Sequence, residues 1–137
     1  MANRNIFELT LPAAKHVELI AAKTLESVGF YCGLTEEKIS ECSLALIEAC
    51  INSVEHSQSE DQLLKIKFIA DATKLTIEIH DNGIGFDPDA VAVPEIDTKL
   101  KSDYKRGWGL QLMRKMMDEI TFTSGKNGTV ISMVKYK

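Results

Sequence analysis

Cysteine is scarce: Cys32, Cys42 and Cys50 are the only three, and no two of them form a C-x-x-C pair. That spacing speaks against a disulfide framework or a thiolate metal site. It fits buried apolar thiols in a reducing compartment, with the cytoplasm as the expected location. No apolar run approaches the length of a membrane span, so no membrane is expected. The first residues, Met1-Ala2-Asn3-Arg4-Asn5, lack the apolar core of a signal peptide. Positive charge is not in excess either. The formal net charge of −4 argues against a nucleic-acid-binding surface as the main role. Two nucleotide-binding signatures are absent. There is no G-x-x-x-x-G-K-[ST], which excludes a P-loop. Gly83 and Gly85 have no third glycine three residues on, so the dinucleotide fingerprint fails. Internal repeats and low-complexity tracts are also lacking, and residues 1–137 read as a single domain long enough for a real core.

What is present is periodic. Asn5 to Leu11 alternates, with Phe7, Leu9 and Leu11 on one face, which reads as a strand. Pro12 suits the first turn of a helix, and Ala13, Val17, Ile20, Ala21, Leu25 and Val28 then recur at helical spacing. Gly29 and Gly33 bracket the expected end of that helix. Thr35 is the expected N-cap of a second helix running to about Ser57, with Glu36 and Glu37 complementing its positive end. Leu64, Ile66, Phe68 and Ala70 alternate with polar residues, as do Leu75, Ile77 and Ile79. The short turn Asp71-Ala72-Thr73 makes these two runs antiparallel neighbours. Asp81 to Arg106 carries no convincing period, and an irregular stretch of that length in a small domain is usually functional or mobile. A third helix follows, with Leu110, Met113 and Met117, and neighbouring Leu112 and Met116, as its apolar side. Glu119–Ser124 and Thr129–Tyr136 are two more strands, joined by Gly125-Lys126-Asn127-Gly128. The sum is an α+β two-layer sandwich: a mixed, mainly antiparallel sheet of about five strands with three helices on one face.

Three stretches bear on chemistry. In the second helix, Glu48 and Asn52 are four residues apart and project from one face. Apolar residues flank that face on both sides: Leu44, Ile47, Ile51 and Val54 on one, Ile39, Cys42, Leu46, Ala49 and Cys50 on the other. A helix that is apolar on two sides is mostly buried, so its Glu and Asn are expected to face a cleft. A carboxylate and an amide held there can place a metal ion and polarise a nucleophile, whereas an ordinary polar face is the plain alternative. Asp81-Asn82-Gly83-Ile84-Gly85-Phe86 closes a strand. Its glycines admit a flat ligand close to the backbone, and a fixed carboxylate favours the exocyclic amine of adenine over the carbonyl of guanine. A simple glycine turn is the alternative. Arg106-Gly107-Trp108-Gly109-Leu110 stands where the third helix is expected to begin. A glycine-rich helix N-terminus binds phosphates, and a flexible hinge is the other reading.

In order, E-x-x-x-N on a helix, D-x-G-x-G-F after a hairpin strand and R-G-x-G-L before a helix form a specific set. The set resembles the ATP-binding domain of the GHKL (Bergerat-fold) ATPase and kinase superfamily, which includes histidine kinases, gyrase and MutL proteins. Within it the chain looks most like the stand-alone anti-sigma factor serine-protein kinases. The resemblance covers nearly the whole chain and implies ATP and Mg²⁺ as cofactors. It makes Asn52 the magnesium-binding asparagine and Glu48 the general base. By the same likeness Asp81 is the adenine-binding aspartate, with Gly83 and Gly85 lining base and ribose. Arg106, Gly107, Trp108, Gly109 and Leu110 form the phosphate-binding box, and Thr129 supports the adenine site from a late strand. Asp87–Arg106 looks like the ATP lid, where Lys99, Lys101, Lys105 and Arg106 meet phosphates or simply form a solvated charge run.

The function implied by this likeness is phosphorylation of a serine on an anti-anti-sigma (STAS-type) protein in a partner-switching module. A sigma factor is a further implied partner, and a homodimer the implied assembly. His56 follows an acidic residue instead of preceding one, so His16, His56 and His80 are not expected as phosphoacceptors. Two alternatives stay open: a nucleotide-gated binding switch without kinase activity, and a detached histidine-kinase catalytic module acting in trans.

Overall fold

The computed structural model describes residues 4–55, 62–81, 101–125 and 128–137, with the backbone alone for 101–108 and 124–125. Along the chain the elements are β1 (Asn5–Pro12), α1 (Val17–Tyr31), α2 (Glu36–Glu55), β2 (Leu63–Ala70), β3 (Lys74–Asp81), α3 (Lys101–Met116), β4 (Glu119–Gly125) and β5 (Gly128–Tyr136). The five strands form one sheet in the order β1-β2-β3-β5-β4. Every pairing in it is antiparallel, where the sequence suggested a mixed, mainly antiparallel sheet. The last hairpin folds back so that β5, not β4, lies beside β3. This crossover brings the start of β5 to the end of β3.

The period-two pattern decides which face is covered. Leu64, Ile66 and Phe68 of β2, Leu75, Ile77 and Ile79 of β3, and Ile131 and Met133 of β5 have no solvent exposure. Each such side chain contributes about 1.5–3 kcal/mol by leaving water. Lys65, Lys67, Glu78 and His80 alternate with them and stay exposed or half-buried. The three helices pack on the apolar face, with α2 between α1 and α3. Leu25, Leu46 and Met113 carry the helical side of this core.

The helix ends follow local chemistry, with two departures from expectation. Pro12 does not open α1. It closes β1, paired with Leu63, on an edge strand where a missing N–H costs no ladder bond. Helix α1 starts only at Val17, after His16 at φ 77, a conformation histidine tolerates better than most residues. At the other end Gly29 lies inside α1, not beyond it. Gly33, at φ +83, is the residue that stops the helix. The Leu34 N–H donates to Gly29 O at 3.0 Å and the Gly33 N–H to Phe30 O at 3.2 Å, the paired bonds of a Schellman motif. Gly29 instead lets α2 approach: a Cβ there would stand 2.7 Å from Ile39 Cγ1. Thr35 caps α2 as expected, its Oγ1 accepting the Lys38 N–H at 3.2 Å. In the β2–β3 turn, Asp71 Oδ1 accepts the N–H groups of Thr73 and Lys74 at 2.8 and 3.0 Å. The Thr73 bond is the main reason its carboxyl sits below its usual pKa.

No helix among the described residues is long and apolar enough to cross a membrane. Cys32, Cys42 and Cys50 are all free thiols. Burial pushes both Cys42 and Cys50 up to about 12, as expected of thiols that pack as small apolar groups.

Candidate functional site

Helix α2 supplies the centre of the site. Its fully buried stripe runs through Cys42, Ala45, Leu46, Ala49 and Cys50 to Asn52 and Ser53. The opposite flank is only partly covered: Leu44 is 48% exposed, and Ile47, Ile51 and Val54 are half-buried. Asn52 therefore belongs to the buried stripe itself. It is 2% exposed, and its Nδ2 has no hydrogen-bond partner among the described residues. An amide donor buried without a partner costs about 1–3 kcal/mol, and Ser53 Oγ and Glu18 Oε2 are buried in the same state. Glu48, one turn earlier, is half-buried.

Helix α3 closes on this pair through a glycine. A Cβ on Gly109 would lie 2.7 Å from Glu48 Oε2 and 3.9 Å from Asn52 Nδ2. A side chain at 109 would have to displace the Glu48 carboxylate, whereas Asn52 Nδ2 would stand at ordinary contact distance. The first and third stretches singled out in the sequence thus meet at Gly109, though they are some sixty residues apart in the chain. One expectation fails here. The third helix does not begin at Arg106 but at Lys101, so Gly107 and Gly109 lie roughly two turns inside it. Nothing in Lys101-Ser102-Asp103-Tyr104-Lys105 blocks propagation, and extending a formed helix is cheap. The two glycines are consequently not free N–H donors at a helix end in this backbone. What Gly109 contributes here is the missing Cβ. Leu110, which follows, is buried at 3% exposure and anchors this part of α3 in the core.

Of the second stretch only Asp81 is among the described residues, and it closes β3 as expected. Asp81 is the last residue of β3, 8% exposed, and its register partner on β5 is Thr129, 2% exposed. A buried carboxylate and a buried hydroxyl side by side at the end of two central strands suit recognition of a polar planar group. Gly83, Gly85, His56 and Lys99 lie outside the described residues, as does most of the expected lid. Lys101, Lys105, Arg106, Gly107 and Trp108 lie on the backbone of α3.

Sequence reading missed one polar group of consequence. Lys135 is 5% exposed, and its Nζ lies 3.0 Å from Glu41 Oε1 and donates to Met116 O at 2.5 Å. The signal was available: Thr129, Ile131, Met133 and Lys135 share one face of β5, so the alternation itself turns the lysine inward.

Residues 11–135 match the model of the histidine kinase-like ATPase domain. The serine-protein kinase RsbW of Staphylococcus aureus, in several strains, is 32% identical over 143 residues, spanning 98% of this chain and 89% of the relative. Among solved structures, the RsbU and RsbW domains of a Mycobacterium tuberculosis protein superpose with a TM-score of 0.71 at 16% identity. The match covers 96% of this chain and 31% of that one. The histidine kinase domain of a blue-light activated kinase from Erythrobacter litoralis has the same fold, with a TM-score of 0.53, 13% identity, and 91% and 61% coverage. The match over residues 11–135 and the 32% identity over 98% of the chain agree: this chain belongs to the histidine kinase-like ATPase domain family, on the branch of the RsbW-type serine-protein kinases.

Proposed function

We propose that the chain is an ATP- and Mg²⁺-dependent serine-protein kinase and anti-sigma factor. In this reading it works in the cytoplasm on an anti-anti-sigma (STAS-type) partner, binds a sigma factor and acts as a homodimer. The observation that carries this reading is the seat of Gly109 on Glu48 and Asn52. It gathers a carboxylate, an unpaired buried amide and a side-chain-free helix surface at one point. The donor set also fits the cofactors. An amide can offer its oxygen to a hard cation, which takes few protein ligands, and its nitrogen to a phosphate oxygen. Bound Mg²⁺ would offset the charge of the phosphates during transfer.

The roles then follow residue by residue. Asn52 holds the metal-bound phosphates. Asp81 accepts a hydrogen bond from the adenine amine, and Thr129 beside it completes that polar end. Gly83 and Gly85 leave room for base and ribose, while Arg106, Gly107, Trp108, Gly109 and Leu110 border the phosphates. Glu48 orients the substrate serine and takes its proton as the hydroxyl attacks, the task of a general base.

Support comes from two independent sides: the site geometry above, and the 32% identity to a named serine-protein kinase over 98% of the chain. The decisive experiment incubates the protein with labelled ATP and a STAS-domain protein, then locates the phosphate by mass spectrometry. Phosphoserine on the partner is expected. Phosphohistidine would place the chain with the histidine kinases. No transfer at all, combined with partner affinity that differs between ATP and ADP, would make it a binding switch.

A further inference from the structure

We propose that Lys135 is a positioning residue that sets the register of α3 on α2, so that Gly109 sits on Glu48; the inference rests on the kinase reading above. A lysine at an inward strand position is costly unless its ammonium finds partners. Lys135 finds two, on two different helices: Glu41 of α2 at 3.0 Å and the Met116 carbonyl of α3 at 2.5 Å. Met116 is the last residue of α3. Carbonyls in a last turn have no partner within the helix and carry the negative end of its dipole, so an ammonium there is doubly favoured. One side chain thereby ties α2, α3 and β5 together.

The position of this tie gives it a consequence for the site. Glu41 precedes Glu48 by seven residues on α2, and Met116 follows Gly109 by seven on α3. The two helices therefore touch at two points about 10 Å apart: Lys135 bridges one, and Gly109 meets Glu48 at the other. Two such points fix both the slide and the rotation of α3. A slip by one residue would turn α3 by about 100° and present Trp108 or Leu110 to Glu48. A methyl group at position 109 would stand 2.7 Å from Glu48 Oε2 and turn that carboxylate aside, so such a slip would cost the arrangement of Glu48. The neighbouring frame is held independently of Lys135. Lys38 Nζ donates to Tyr136 O at 3.0 Å, the Tyr136 N–H donates to Asp118 Oδ2 at 2.7 Å, and the Asp118 N–H to Val134 O at 3.0 Å. Removing the ammonium thus takes away one tie on α3 without dismantling that end of the sheet.

The test separates positioning from plain stability. Replacing both charges, Lys135→Met with Glu41→Met, removes an ion pair whose loss to apolar groups is often neutral for folding. It leaves Met116 O untied. Expected is a folded protein with a thermal midpoint near that of the wild type, kcat for phosphotransfer lower by about 10²-fold, and faster amide exchange across Leu110–Met116. Lys135→Arg, which keeps donors for both acceptors, should restore most of the rate. Glu41→Gln leaves the bond to Met116 in place and should cost far less than Lys135→Met. A folded double variant with wild-type kcat and unchanged exchange overturns the proposal. Should the double variant fail to fold, the single variants decide: equal losses from Glu41→Gln and Lys135→Met overturn it. If the wild-type protein transfers no phosphate, the kinase reading fails, and exchange across α3 alone then judges the register.

Discussion

Asp81 and Thr129 are direct partners across the β3–β5 ladder, and both are buried. Neither strand alone makes this pair; it depends on β5 returning past β4 to lie beside β3. Replacing Asp81 by Asn keeps the volume but puts a donor where an adenine amine needs an acceptor. A folded variant with ATP affinity reduced by roughly 10- to 100-fold is expected, the cost of one buried polar group left badly paired. Calorimetry with ATP and GTP measures it. Unchanged ATP affinity would remove Asp81 from the site.

Asn52→Ala should separate stability from binding. Its Nδ2 has no partner among the described residues, so truncation removes an unsatisfied donor as well as packing. The two effects oppose each other, and the change in folding stability should stay within about 1 kcal/mol. ATP affinity should fall mainly when Mg²⁺ is present, because that ion relies on few protein oxygens. An equal loss in EDTA would make the residue structural.

Glu48→Gln preserves shape and removes basicity. Near-normal ATP binding with phosphotransfer slowed by about 10²–10⁴-fold is expected, the usual contribution of a general base. Single-turnover assays at saturating ATP isolate that step. Loss of nucleotide binding would instead mark Glu48 as a binding residue.

Two glycine-to-alanine changes should behave differently although each new Cβ meets a neighbour at 2.7 Å. At Gly29 the neighbour is Ile39 Cγ1, inside a packed helix pair. Overpacking costs about 1–3 kcal/mol there, and the gain in helix propensity, about 1 kcal/mol, offsets only part of it. At Gly109 the neighbour is the end of the flexible Glu48 side chain, which can swing away. Gly109→Ala should therefore melt near the wild-type temperature yet lose most phosphotransfer, while Gly29→Ala should melt lower and keep its specific activity. Thermal melts paired with rate assays distinguish them.

The thiols offer a check on burial. With burial holding Cys42 and Cys50 at about 12, only about one thiol in ten thousand is ionised at pH 8. Iodoacetamide at that pH should label half-exposed Cys32 in the native protein and reach the other two only on unfolding. Labelling of Cys50 without unfolding would mean that α2 opens locally.

Much was decided by the sequence alone, because short-range periods dictate which side chains share a face. The alternation in 64–70 and 75–79, the Thr35 cap and the Asp71 turn all appear where local chemistry places them. The same holds for the burial of Asp81 at the end of its strand, whereas Asn52, expected on a polar strip facing a cleft, lies in the buried stripe of α2. Other features were not legible, since they depend on contacts between residues distant in the chain. Pro12 stays in a strand because Leu63 pairs with it, and Gly29 serves Ile39 rather than a helix end. The helix around Gly109 extends back to Lys101 because nothing local stops it, so Gly109 acts through closeness to Glu48. Lys135 reads as one more charge near the end of the chain until the fold brings Glu41 and Met116 O to it. Periodicity sets the face a residue occupies; only the packing of α2, α3 and β5 decides which residue it meets there.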